Sequence, residues 1–340
     1  MLATTEQPDV ILDTAIQAVG ERTGLDLTAH DPGFGAARLV QLDNAPARKK
    51  YQAEIRSYLT KQAVGLLAVK ATEQELPVML VADYVNRPQA DRLRQLNIPF
   101  IDAAGNAYVN EAPIYVFATG NKPEVLPTAK PSVRMFQPTG LKLIFALLNQ
   151  PGLEQRPYRE QAKVADIALG AVAWIMNDLR DTGYLIAQTP KTRQLINRRA
   201  LLDLWVENYP VRLREKLVLG RYTPTRDHWW EDADVAEHQA YWGGEIAADR
   251  LTDYLKPQDA TIYADKVPAR LLLENRLLRA PDGNIEILRW FWNFDYPEEA
   301  LGLVPPLLIY ADLIASGAAR NTEVARMVFD EHVARHFQID

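Results

Sequence analysis

The sequence contains no cysteine. Disulfides, thiolate nucleophiles and cysteine-ligated zinc are therefore excluded at the outset. It also lacks a long apolar run. The longest, LGLVPPLLIY at 301–310, falls short of the ~20 residues a membrane span needs, and Pro305 and Pro306 interrupt it. The N-terminal stretch MLATTEQPDVILDTAIQ is acidic and has no basic segment leading into an apolar one, so a cytoplasmic location is expected. Walker A, a serine nucleophile elbow and the Gly-Ser plus paired-Asp signature of nucleotidyltransferases are missing too. Nothing in the sequence demands an enzyme, and no cofactor is expected. Internal repeats and low-complexity segments are also absent.

What is present fits a soluble globular chain. Its 340 residues leave room for two or three domains. Hydrophobic content of 48% and charged content of 24% are ordinary. The formal charge is −6, which argues against a general nucleic-acid coat. Its distribution is uneven: residues 131–200 hold ten Lys/Arg against five Asp/Glu, leaving −11 on the remainder. A basic island in an acidic chain suits a protein that touches DNA at one place.

The pattern along the chain predicts a multidomain α/β protein. A first α/β block spans 1–120, with a helix over about 8–22 and a strand around Ala37–Leu42. LPVMLVADYV (76–85) reads as a buried strand. NRPQADRLRQLN (86–97) reads as a helix capped by Asn86, with Pro88 tolerated in its first turn. IPFID, a turn at AAGN, NAYVN and the strand PIYVFATG follow. Pro123, Pro127, Pro131 and Pro138 mark 121–138 as an extended linker. A winged helix-turn-helix is expected over 139–200 and an α+β domain over 201–340. The latter carries GGEIAADRLTDYL, the strand ATIYA and two final helices, the last one capped by Asn321 or Thr322.

The segment from Arg156 to Arg199 carries the functional expectation. Val172, Ile175, Met176 and Leu179 recur at helical spacing and form one apolar stripe. Gly170, Ala171, Ala173, Trp174 and Asn177 are left on the face a recognition helix turns to a major groove. YLIAQT, the tip PK and RQLI read as a wing. Asn177 is the base-reading candidate, and Trp174 suits a sugar or thymine methyl. Arg159, Lys163, Lys191, Arg193, Arg198 and Arg199 are the expected phosphate contacts. The bland alternative is an interaction or dimerisation module with Trp174 packed against a neighbouring domain.

Asp83 and Asp102 end strands and could serve a metal-dependent nuclease, but no Glu-x-Lys follows on PIYVFATG. The alternative is a turn in which Asp102 caps, Gly105 takes positive φ and Asn106 adopts the left-handed region. His332 and His336 have metal-ligand spacing on one helix, yet Val333 stands where a metalloprotease needs Glu. Near a helix C-terminus they also complement its dipole. Gly243 and Gly244 precede a helix N-terminus that could receive a phosphate, although a tight turn or close packing explains them better.

Four segments together resemble the AbiEi-like antitoxins of type IV toxin–antitoxin systems, in the branch with a domain before the winged helix. They are IPFIDAAGNAYVN (98–110), the winged helix, GGEIAADRLTDYLKPQDATIYA (243–264) and LVPPLLIYADLIASGAARNTEVARMV (303–328). The most specific pieces are the turn from Asp102 to Asn106 and the stretch from Tyr310 to Asn321. The resemblance implies a repressor of its own operon that acts on double-stranded operator DNA. It also implies a nucleotidyltransferase-like toxin, countered without stable contact. The first block then corresponds to a degenerate restriction-nuclease-like fold. In better-known members the winged helix is N-terminal, whereas here it is central. A homodimer on two half-sites is the default expectation, and no membrane partner is expected.

Overall fold

Residues 6–30, 38–45, 48–123, 134–187 and 192–334 are described by the structure, a computed structural model. The chain divides into two units, Met1–Lys130 and Pro131–Asp340, and is mixed α/β.

The first unit begins with Glu6–Thr23 (α1), Leu27–His30 (β1), Leu39–Leu42 (β2) and Lys49–Arg56 (β3). Lys61–Glu73 (α2), Val78–Ala82 (β4) and Arg87–Gln95 (α3) follow, then Phe100–Asp102 (β5), Ala107–Glu111 (β6) and Ile114–Ala118 (β7). The seven strands form one sheet in sequence order, parallel from β3 through β5 and antiparallel elsewhere. Because strand side chains alternate, β4 serves two cores. Met79 and Val81 pack with Ile11, Leu12, Ala15 and Val19 of α1. Val78, Leu80 and Ala82 pack with Val64 and Leu67 of α2 and Leu93 of α3 on the opposite face. Burial on both faces explains the unbroken apolar run in β4.

Asn86 caps α3 as expected: its side chain accepts from Gln89 N at 3.0 Å, and Gln89 Oε1 accepts from Asn86 N at 3.1 Å. Such a reciprocal cap contributes about 1 kcal/mol. β1, β3 and α2 were not anticipated from the sequence.

The second unit opens with Pro138–Asn149 (α4), Tyr158–Val164 (α5) and Leu169–Asp181 (α6), followed by the hairpin Leu185–Ala187 (β8) and Arg193–Leu195 (β9). Arg198–Tyr209 (α7) continues through a π turn into Glu215–Leu217 (α8). A five-stranded sheet then uses Val218–Thr223 (β10), Ala240–Gly243 (β11), Ala260–Ala264 (β12), Leu278–Arg279 (β13) and Ile285–Arg289 (β14). Its order is β11-β12-β14-β10-β13, with β12 and β14 parallel. Gly244–Thr252 (α9) and Ala269–Glu274 (α10) connect its strands, and Pro306–Ser316 (α11) and Ala319–Val328 (α12) follow. Pro138 occupies the first turn of α4, where a missing N–H costs nothing. Pro127 and Pro131 lie outside the described residues.

One expected cap is corrected. The last helix starts at Ala319 behind Ala318, and neither Asn321 nor Thr322 caps it. Asn321 is instead fully buried and donates to Glu245 Oε1 at 2.8 Å and Ser316 Oγ at 2.9 Å. A buried acceptor on α9 outcompeted a local cap.

Candidate nucleic-acid interface

α6 is built as its periodicity predicts. Val172, Ile175, Met176 and Leu179 are all buried, and Gly170, Ala173 and Asn177 are exposed. Ala171 and Trp174 are half-buried. The turn from α5 to α6 passes through Asp166 at φ +49°, and Lys142 of α4 reaches its carbonyl and carboxylate at 3.4 Å. The last carbonyls of a helix take donors from outside it. Asn293 supplies them, its backbone N donating to Val164 O at 3.0 Å and its Nδ2 to Lys163 O at 3.2 Å. The helix pair is thus held from α4 and from the aromatic loop after β14.

That loop also grips α4. Phe145 has Trp205, Phe291, Trp292 and Phe294 around it, with ring centroids 5.0–6.1 Å away. Trp205 Nε1 donates to Leu141 O at 2.8 Å. Such aromatic pairs add roughly 0.5–1.5 kcal/mol each beyond area burial.

The expected phosphate contacts separate into two groups. Arg159 and Lys163 are exposed on α5. Arg193 and Arg198 are buried, which corrects their expected role. Arg193 lies over the Tyr158 ring and donates to Arg156 O at 2.8 Å, fastening the base of the hairpin to the start of α5. Arg198 donates to Leu148 O at 3.2 Å at the end of α4. Arg199 is half-buried, paired with Asp203 at 3.2 Å and stacked over Phe329, so it too is engaged internally. Lys191 lies outside the described residues. Among the described residues of 131–200, Arg134, Arg156 and Arg180 are exposed cations not expected as contacts from the sequence. Arg180 lies three residues beyond Asn177, so helical spacing alone places it on the same face.

The nuclease candidates resolve differently. Asp102 is fully buried. Its carboxylate accepts from Val85 N, Ala104 N, Asn106 N and Asn106 Nδ2 at 2.7–3.0 Å. Burial pushes this carboxyl up, against the pull of those hydrogen bonds. Gly105 takes φ +84°, as expected of the turn, and a Cβ there would meet Arg22 Cδ at 2.2 Å. Asn106 does not adopt the left-handed region. It is buried and exchanges hydrogen bonds with the Asn121 backbone at 2.9 and 3.0 Å. Asp83 is half-buried beyond β4. A Glu-x-Arg pair does occur, but earlier, on β3: Glu54 pairs with Arg56 at 2.7 Å and Lys70 at 3.4 Å. The neighbouring β2, LVQL, offers no carboxylate. Among the described residues no three His, Asp or Glu side chains gather as a metal site. His332 lies 4.0 Å from Glu298 and 3.9 Å from Glu331, and His336 is outside the described residues.

The stretch from Tyr310 to Asn321 acquires a physical role in two buried clusters. Asp312 accepts from Tyr263 Oη at 2.9 Å, Tyr209 Oη at 3.2 Å and Arg214 Nε at 3.0 Å. Burial pushes the Asp312 carboxyl up and both tyrosines well above their ordinary range, so the phenols remain donors. Gly243 packs there, since a Cβ would fall 2.6 Å from Tyr263 and 3.1 Å from Asp312. Gly244 has φ +53°, and its Cβ would lie 2.8 Å from Thr261 Oγ1. Close packing is therefore what the two glycines permit. In the second cluster, Arg320 grips both Glu245 oxygens at 2.6 Å, and Gln258 N and Asp259 N complete the set at 2.7 and 3.2 Å. These contacts tie α9 to α12.

No helix among the described residues is long and apolar enough to cross a membrane. Comparison with curated proteins and with solved structures finds no match. Residues 194–334, from β9 through the turn after α12, match the family model described as "Transcriptional regulator, AbiEi antitoxin, Type IV TA system". Over these residues, which contain both buried clusters, the chain is similar to the AbiEi antitoxin family.

Proposed function

We propose that the chain binds duplex DNA through a central winged helix, represses its own operon and counters a nucleotidyltransferase-like toxin without stable contact. One observation carries this reading. A helix pair closed by a tight turn and followed by a hairpin buries one stripe of α6 and leaves Gly170, Ala173 and Asn177 of the other face exposed. In that arrangement α6 enters the major groove, with Asn177 and Trp174 at the bases. Arg159 and Lys163 contact phosphates, joined by Lys191. The regulatory family of residues 194–334 supports the transcriptional role.

The first unit is read as a degenerate restriction-nuclease-like domain, joined through 121–138. Its α-β-β-β-α-β order supports that assignment, and the carboxylate-free β2 supports loss of metal-dependent cleavage. A homodimer on two half-sites completes the proposal.

The test is a gel shift on the DNA upstream of its own gene, beside an operon reporter with and without the protein. A salt-sensitive shift together with lowered reporter output is expected. A shift without repression would remove the autorepressor role. The toxin arm is tested by co-expression with the adjacent gene: growth should recover, and the two proteins should fail to co-purify.

A further inference from the structure

Asn177 and Arg180 stand exposed on the same face of α6, and Arg180 Nη2 donates to Asn177 Oδ1 at 3.0 Å. This contact decides what the helix offers a base. An asparagine reads adenine with both amide atoms, Oδ1 accepting from the N6 amino group while Nδ2 donates to N7. Here Oδ1 is turned to Arg180. One lone pair of Oδ1 is thereby engaged, and Nδ2 with the other guanidinium N–H groups makes the pair predominantly a donor to the groove.

Guanine presents two adjacent acceptors, N7 and O6, and no donor in the major groove. Asp181 reinforces the match. Its carboxylate, 71% exposed, lies 3.7 Å from Arg180 Nε. A carboxylate there disfavours a phosphate and suits the N4 amino group of a paired cytosine. One turn towards the N-terminus the character changes. Ala173 is exposed, Trp174 is half-buried, and Leu169 is 49% exposed. That strip offers apolar contact and suits a thymine methyl.

We infer that Arg180 is a specificity-determining residue that turns Asn177 from an adenine reader into part of a guanine reader. Its ligand is then a G·C pair flanked by a thymine. This inference rests on the DNA-binding reading above and names the sequence class that the α6 face selects.

The test is selection from a randomised duplex library by the full-length protein, followed by sequencing, for wild type, Arg180→Ala and Asn177→Ala. Both side chains are exposed, and matching thermal melts will verify that the variants fold. Wild type should enrich guanine at one position by about 10-fold or more. Arg180→Ala frees both amide atoms of Asn177, so the preference there should move to adenine. Asn177→Ala should retain guanine with a weaker bias, because Arg180 still donates. Adenine at that position in wild type, or the same base in wild type and Arg180→Ala, would overturn the inference. Binding with no base preference would overturn it while leaving the DNA-binding reading intact. Failure to bind any duplex at low salt would remove both.

Discussion

Arg159 and Lys163 are exposed cations on α5, whereas Arg193, Arg198 and Arg199 are held within the second unit. The two groups should respond differently to mutation. Arg159→Ala with Lys163→Ala should reduce the slope of log K against log salt by about 2, because two phosphate contacts are lost. Titrations at several salt concentrations measure this, and an unchanged slope would place both residues away from DNA. Arg193→Ala should cost about 1–3 kcal/mol of stability, because the Arg156 carbonyl loses its buried donor. Denaturant unfolding reads that loss, and a wild-type midpoint would contradict it. Net charge pointed to all five arginines and lysines alike. It could not sort them, because the acceptors that bury Arg193 and Arg198 lie 37 and 50 residues away. The exposure of Asn177 was legible because the stripe of Val172, Ile175, Met176 and Leu179 fixes which face is outward.

At the scale of elements, α6 and the Asn86 cap of α3 were readable because their signals are local. Others were weaker. β3 alternates Tyr51, Ala53 and Ile55 with charged and amide residues, a period of two weakened by small Ala53. α2 is announced by Thr60, whose side chain accepts from Ala63 N at 3.0 Å, but its apolar positions run nearly all round. The docking of α4 was invisible in sequence, because Phe145 meets aromatics some sixty and some one hundred and fifty residues later. Phe145→Ala should therefore cost about 3–5 kcal/mol. It should also lower the melting of the helix pair and of the five-stranded sheet together. Hydrogen exchange on the variant checks this, and loss of protection in α4 to α6 alone would show that they fold independently.

Taken whole, the molecule is anionic with a cationic middle, and burial of Arg193 and Arg198 with the pairing of Arg199 to Asp203 trims that middle to fewer free cations. Binding should therefore be modest and strongly dependent on salt. A fragment of residues 131–340 corresponds to the second unit and contains every proposed DNA contact. It should fold and bind duplex with wild-type affinity, as unfolding curves and titration will measure. A large loss would assign part of the interface to the first unit. The most direct test of the central claim is a titration of the full chain against duplex from upstream of its own gene, at low and at physiological salt. Saturable binding is expected, weakening with salt and falling further in the Trp174→Ala, Asn177→Ala double variant. No binding at either salt, or binding untouched by that double variant, would contradict it.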